Sequence, residues 1–238
     1  MSHFQTAVFL KETKDLQKAL APYQENNTGD CPKKFMKFVS VYKECKKDYE
    51  KECEQVKTKY PTLSLYIKEY CDYEFDFEKK AYGYWENPNA KWDYWSLCEK
   101  DGFARFVDLD IPNGFCKVKD FRKELSRTEY ASALRFWETF VEGKPLHDGE
   151  KEPFDYYSKE YYLRNFKGKE DYATFTATPH PYAFIDPQGK WHEPGRMLMF
   201  GFEESCQSAK EAFLREWESM LDAPENQNLY VAFVDCHI

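Results

Sequence analysis

Hydrophobic and polar positions follow different periods along the chain, and each change of period marks an element. Phe4-Gln5-Thr6-Ala7-Val8-Phe9-Leu10 reads as a β-strand of mixed character. Residues 14–20 read as a short helix stopped by Pro22, and Asn26-Asn27-Thr28-Gly29-Asp30 as a loop. From 33 to 58, Phe35, Phe38, Val39, Tyr42, Cys45, Tyr49, Cys53 and Val56 recur at steps of three and four. That spacing predicts one amphipathic helix whose Lys/Glu-rich remainder is a solvated face. A second helix is expected from Thr62, with Leu63, Tyr66, Ile67 and Tyr70 on one side. Phe103, Arg105, Val107 and Leu109 alternate as in a strand over 102–109, and Pro112-Asn113-Gly114 is a turn. Ser126-Arg127-Thr128-Glu129 matches a capping box ahead of the apolar face Ala133, Leu134, Trp137, Phe140 and Val141, with Gly143 and Pro145 as terminators.

The second half alternates more often. Residues 144–170 look irregular apart from a tyrosine cluster (Tyr156, Tyr157, Tyr161, Tyr162). Strands are expected at 172–177 and 182–185, followed by the turn Asp186-Pro187-Gln188-Gly189, a return through 190–193, and an apolar strand at 197–202. A helix opens at Ser205 or Ser208, points Ala209, Ala212, Phe213, Trp217 and Met220 inward, and closes at Pro224; the last strand is 229–237. This order implies an α+β fold, a mostly antiparallel sheet with amphipathic helices packed mainly on one face. With no repeat and no clear linker, one domain over 1–238 is expected, and 144–170 is the alternative boundary.

One stretch has no single period. Tyr82-Gly83-Tyr84-Trp85-Glu86-Asn87-Pro88-Asn89-Ala90-Lys91-Trp92-Asp93-Tyr94-Trp95 combines six aromatics, a turn and three charges. It reads as a structured loop that packs rings inward and presents polar groups at a cleft. In the functional reading it is a stacking platform for a small nucleotide-like ligand, with Tyr84, Glu86, Asn87, Lys91, Trp92 and Asp93 around it. In the structural reading Trp85, Trp92 and Trp95 plug the core, Lys91 pairs with Asp93, and Asn87 and Asn89 shape the turn.

Composition narrows the classes. Of 238 residues 18% are aromatic and 42% hydrophobic, so the core is rich in rings. A net charge of −8 argues against extended nucleic acid as a partner, because that affinity is mostly cation–phosphate contact. It permits a basic or cationic partner, and also one small anionic ligand, which needs only one or two cations. No apolar run approaches the ~20 residues that span a bilayer. Met1-Ser2-His3-Phe4 lacks the features of a signal peptide, and the eight cysteines include no C-x-x-C pair, so they read as reduced thiols in a cytosol.

Period two places Val231, Phe233, Asp235 and His237 on one face of the last strand and Cys236 on the other. Asp235 and His237 therefore share a face, and with His3 they form the candidate catalytic set, a His–Asp acid/base pair or a metal site. The alternative is polar residues meeting solvent at a strand end. Antiparallel pairing of the first and last strands is expected to leave His3 far from His237. His180, between Pro179 and Pro181, and His192, beside Glu193, are further candidate ligands, with solvated histidines at hairpin ends as the ordinary alternative. No phosphate-binding glycine loop and no loud catalytic motif occurs, and no cofactor is indicated.

Met1-Ser2-His3-Phe4 with Leu20-Ala21-Pro22-Tyr23, Glu86-Asn87-Pro88-Asn89-Ala90-Lys91-Trp92-Asp93-Tyr94, and Val234-Asp235-Cys236-His237-Ile238 resemble a family of uncharacterised tailed-bacteriophage and prophage proteins. That family continues after the middle motif with Gly-Gly-Arg-Trp, where this chain reads Ser96-Leu97-Cys98-Glu99-Lys100-Asp101-Gly102, so a site built on that segment would be altered here. The resemblance implies a phage origin and a host-cytoplasmic setting, and it carries no activity. The expectation is an accessory protein that counters host defence by titrating a host protein or sequestering a small nucleotide-like ligand. The alternatives are a hydrolase or transferase using Asp235 and His237, and a virion-assembly protein.

Overall fold

The computed structural model describes residues 3–98, 114–121, 125–153, 155, 157–195, 197–198, 201–202 and 207–238. It is an α+β protein with mostly antiparallel sheets. The chain divides into two compact units, Leu20–Asp93 and the remainder, Met1–Ala19 with Tyr94–Ile238. Neither division falls in 144–170, where the sequence reading placed the alternative to a single domain.

In the larger unit, strand β1 (His3–Leu10) pairs antiparallel with β11 (Tyr230–His237) along its full length, His3 opposite His237 and Leu10 opposite Tyr230. The far edge of β11 carries β5 (Tyr94–Leu97) and β6 (Phe115–Lys117). On the other side β1 pairs in parallel with β7 (Ala183–Ile185), which turns back through Asp186–Gly189 into β8 (Trp191–His192). Helix α8 (Gln207–Asp222) buries Phe213, Trp217 and Leu221, one turn apart, against Ala7, Phe9, Phe184, Val231 and Phe233 of this sheet. Trp217 is 1% exposed and its indole donates to the Pro179 carbonyl at 3.1 Å. Each such aromatic contributes on the order of 2–3 kcal/mol by leaving water.

A second layer of the same unit holds α5 (Arg127–Phe136), extended by a wider turn to Val141, with α6 (Lys159–Asn165) and α7 (Lys169–Ala177). The Ser126 hydroxyl accepts the Glu129 amide at 3.2 Å, as the capping box predicts. The strand expected at 172–177 is instead α7. Ala173 and Ala177, both 0% exposed, sit one turn apart where the helix packs on α5, and Glu170 and Asp171 stand in its first turn. Trp137, Val141, Tyr162 and Phe166 form the core of this layer. The expected strand at 197–202 appears as two short paired strands, β9 (Met197–Leu198) and β10 (Gly201–Phe202). The strand at 102–109, and Pro112-Asn113 of the turn after it, lie outside the described residues, as does Ser205.

In the smaller unit the single helix expected over 33–58 is replaced by β2 (Lys37–Ser40), α2 (Tyr42–Lys51) and α3 (Glu54–Lys59). β2 is recruited by β4 (Ala81–Glu86), which also pairs with β3 (Glu74–Asp76). The pairing depends on Gly83, where a Cβ would lie 2.1 Å from the Val39 carbonyl oxygen. The helix from Thr62 forms as expected (α4, Leu63–Leu65, with a wider turn to Tyr70), and Val41, Cys45, Tyr60, Tyr66 and Ile67 make the core. Among the described residues no helix is long and apolar enough to cross a membrane.

Candidate functional site

The end of the β1–β11 ladder brings together the three residues of the candidate catalytic set. His3 Nδ1 lies 2.9 Å from Asp235 Oδ2, and the His3 and His237 rings meet edge to face with centroids 5.0 Å apart. This corrects the expectation that antiparallel pairing would separate the histidines. Two strands of equal length in end-to-end antiparallel register put the first residue of one opposite the last of the other. Asp235 is largely buried and His3 partly open (side chains 11% and 39% exposed). A carboxylate can only accept, so the proton between them sits on His3 Nδ1. Cys236, on the opposite face, is fully buried, and burial pushes its thiol up to about 12, out of the range of a nucleophile.

The aromatic stretch is strand, turn and strand rather than a loop without period. Tyr82 to Glu86 belong to β4, and Tyr94 and Trp95 to β5 of the larger unit. Its polar groups hold the smaller unit's fold. Asn87 is 5% exposed; its amide donates to the carbonyls of Pro22 at 2.8 Å and Gln24 at 2.9 Å, and its Oδ1 accepts the Asn89 amide at 3.0 Å. Trp92 is 5% exposed, and its backbone and that of Lys91 bond the 23–25 segment. The Trp85 indole donates to Asp76 at 2.8 Å, with Lys33 and Lys79 5.2 and 5.3 Å from its ring. The Lys79 amide and that indole hold the Asp76 carboxyl below its usual value. Tyr84 is exposed and stacks on Tyr73 at 5.9 Å, while Glu86, Lys91 and Asp93 are half-buried. For Asn87 and Trp92, then, the arrangement is the structural one.

A concave site lies in the larger unit, where sequence reasoning placed none. A cavity of about 360 Å³ opens between α6, α7, the segment 179–182, Pro194-Gly195 and the start of α8. That falls near the lower end of the 300–1,000 Å³ common for small-molecule pockets. Its walls are mostly rings. Tyr157 and Tyr161 stack with centroids 4.1 Å apart. Lys210, only 7% exposed, reaches in from α8, donates to the Tyr161 hydroxyl at 3.1 Å, and lies 5.2, 5.0 and 5.9 Å from the ring centroids of Tyr161, Phe166 and Phe175. Ring faces and a hydroxyl are what a buried ammonium needs in place of water. Burial, with a hydrogen bond to Asp155, raises the Tyr162 phenol, and burial raises that of Tyr182, so both remain donors at neutral pH. Tyr182 donates to the Gly195 carbonyl at 2.8 Å.

His180 lies in this wall and is not a solvated loop histidine. Its Nδ1 is 2.7 Å from the Thr178 carbonyl, its ring packs on Phe175 at 4.6 Å, and burial lowers its basicity. His192, the other loop histidine, is also engaged: Nε2 is 2.9 Å from Asp186, Nδ1 is 2.9 Å from Glu216, and the ring stacks on Phe184 at 4.5 Å. The cavity adjoins the strands of the His–Asp cluster, because the Tyr182 amide bonds the carbonyl of Gln5, and Gln5 pairs across to Asp235. Two strand spacings, about 10 Å, thus separate the backbones of Tyr182 and Asp235. Among the described residues no group of three or more His, Cys, Asp or Glu side chains is placed to hold a metal ion.

No protein-family model matches the sequence, and comparison with curated proteins and with solved structures returned no match. Function is therefore read from the chain's own chemistry.

Proposed function

We propose that the protein acts by binding a small, planar, anionic ligand of nucleotide-like character in the tyrosine-walled cavity. One observation carries this reading: a nearly buried ammonium, Lys210, stands among aromatic faces in a cavity of mononucleotide dimensions. The rings offer stacking to a planar group of any sequence or substitution, and the lysine offers a charge-assisted bond to an acidic one. Among the described lining residues the charged groups are Lys210 and Asp155, and with a net charge of −8 over the chain that balance suits a small ligand with one acidic group rather than a polyanion. Sequestering a host nucleotide signal, as the phage resemblance suggests, requires a pocket of this kind and no catalytic group. Calorimetric titration with nucleoside monophosphates and with aromatic carboxylates tests it. Lys210→Met, which keeps the side-chain volume, is expected to weaken binding about 10- to 100-fold, since a charge-assisted hydrogen bond is worth ~1.5–3 kcal/mol, while leaving the melting temperature unchanged or higher. Equal affinity in the variant removes Lys210 from the reading, and no binding by the parent protein ends it.

A second reading has its own observation, the His3–Asp235 contact beside His237. Here Asp235 orients His3 and holds the proton on Nδ1, and Nε2 works as a general base in a hydrolase or transferase. Turnover of ester or phosphoester substrates that disappears in Asp235→Asn and His3→Ala, with the fold intact, supports it; activity unchanged in both variants refutes it.

A further inference from the structure

We infer that His180 is the specificity-determining acceptor of the cavity: its Nε2 receives a hydrogen bond from a ring N–H of the ligand while Lys210 takes the anionic end. This rests on the binding reading above and names the ligand edge that the pocket selects.

In Pro179-His180-Pro181 both flanking rings fix the backbone, and the residue before a proline is confined to extended conformations. The structure secures the segment at each step. The Pro179 carbonyl accepts the buried Trp217 indole at 3.1 Å, and the Tyr182 amide donates to Gln5 at 2.9 Å. The imidazole between them is clamped by Phe175 and by its own bond to the Thr178 carbonyl at 2.7 Å. A carbonyl only accepts, so that bond fixes the proton on Nδ1. Nε2 then carries the lone pair, and burial keeps the ring neutral. Among the described lining residues the cavity therefore presents a fixed donor cation in Lys210 and a fixed neutral acceptor in His180, while Asp155, also in the lining, accepts the Tyr157 amide and a hydrogen bond from Tyr162. Neither Lys210 nor His180 can exchange roles without breaking a bond that the fold already makes. A ligand with an acidic group and a ring N–H satisfies both; an aromatic carboxylate without a donor leaves the acceptor unmet.

The closing experiment uses the whole chain and two matched pairs, uridine 5′-monophosphate against its 3-methyl derivative and guanosine 5′-monophosphate against its 1-methyl derivative. In each pair methylation removes the ring N–H. The N–H forms are expected to bind roughly tenfold or more tightly, the effect of leaving one buried acceptor unpaired. His180→Gln places an amide oxygen near the position of Nε2 and is expected to preserve the preference. His180→Asn keeps a donor to Thr178, deletes the acceptor, and is expected to abolish it. A merely structural histidine gives the opposite order, with Asn the better replacement. Protonation of His180 removes the acceptor, so the preference is expected to hold at neutral pH and to fade only below about pH 6.5. Equal affinity within both pairs, with binding otherwise intact, overturns this inference alone. If the parent protein binds none of the four nucleotides, the binding reading falls and this one with it.

Discussion

Replacing Asn87 by alanine separates a fold-holding residue from a ligand-contacting one. The side chain makes three hydrogen bonds, two to the carbonyls of Pro22 and Gln24 and one from the Asn89 amide. All three join the turn after β4 to itself or to the 22–24 segment, and the residue is 5% exposed, so water does not replace what is lost. At about 1 kcal/mol per neutral bond, and more where a buried carbonyl is stranded, the loss comes to roughly 3–4 kcal/mol. That is a large part of the 5–15 kcal/mol that ordinarily holds a domain together. Asn87→Asp keeps the acceptor for Asn89 but points a carboxylate oxygen at two carbonyls, and it is expected to cost as much. Hydrogen exchange resolved by mass spectrometry is the suitable assay, since it reads the smaller unit separately. The amides of Asn89, Lys91 and Trp92, bonded to Asn87 and Tyr23, are expected to lose protection together. A change under ~0.5 kcal/mol in Asn87→Ala, accompanied by loss of a bound ligand, would refute the reasoning and restore the turn as a binding platform.

Two other perturbations test the frame. Gly83→Ala drives a Cβ to 2.1 Å from the Val39 carbonyl oxygen, a backbone atom that no rotamer change can move. The β2–β4 ladder is expected to open at a cost of about 3 kcal/mol or more, read as a lower midpoint in urea; an unchanged midpoint refutes the pairing. The Asp186 carboxyl lies below its usual value: burial alone would raise it, but His192 and the amides of Lys190 and Gln188 more than offset that. A lowered carboxyl stabilises the fold above its unfolded value near 3.8, and that contribution fades as pH falls through the folded value. Asp186→Asn is therefore expected to be less stable than the parent at pH 7 and to converge with it as the pH falls below the folded value of Asp186, and a difference that stays constant on acidification refutes the assignment.

What the sequence made legible follows from where a period is enforced. α8 was readable because Phe213, Trp217 and Leu221 must all face one sheet, and β11 because alternation sorts Asp235 from Cys236. α7 was misread because Tyr172-Ala173-Thr174-Phe175-Thr176-Ala177 is rich in the aromatic and β-branched residues that strands favour. The deciding feature is the pair of alanines four apart, small enough for α7 to seat closely on α5, and tertiary packing of that kind overrides local preference. β2 was hidden for the converse reason: Phe38 and Val39 fit a helical stripe, and only a glycine some forty positions later lets a strand approach them.

The cavity escaped for a different reason. Its polar groups, His180 and Lys210, come from a proline-locked link and from the first turns of a helix, and no spacing rule relates those two positions. By contrast the His3–Asp235 contact is fixed by register once β1 and β11 are known to pair end to end. Chemistry carried by one ladder is thus recoverable from alternation and strand direction. Chemistry assembled from several elements is not, and the trace it leaves is local anomaly: a histidine between two prolines, a lysine on the apolar stripe of α8 three residues before Phe213, a run of tyrosines in a segment without period. Each anomaly alone has an ordinary explanation. Their convergence on one hollow is the observation that makes them a candidate site, and it exists only in three dimensions.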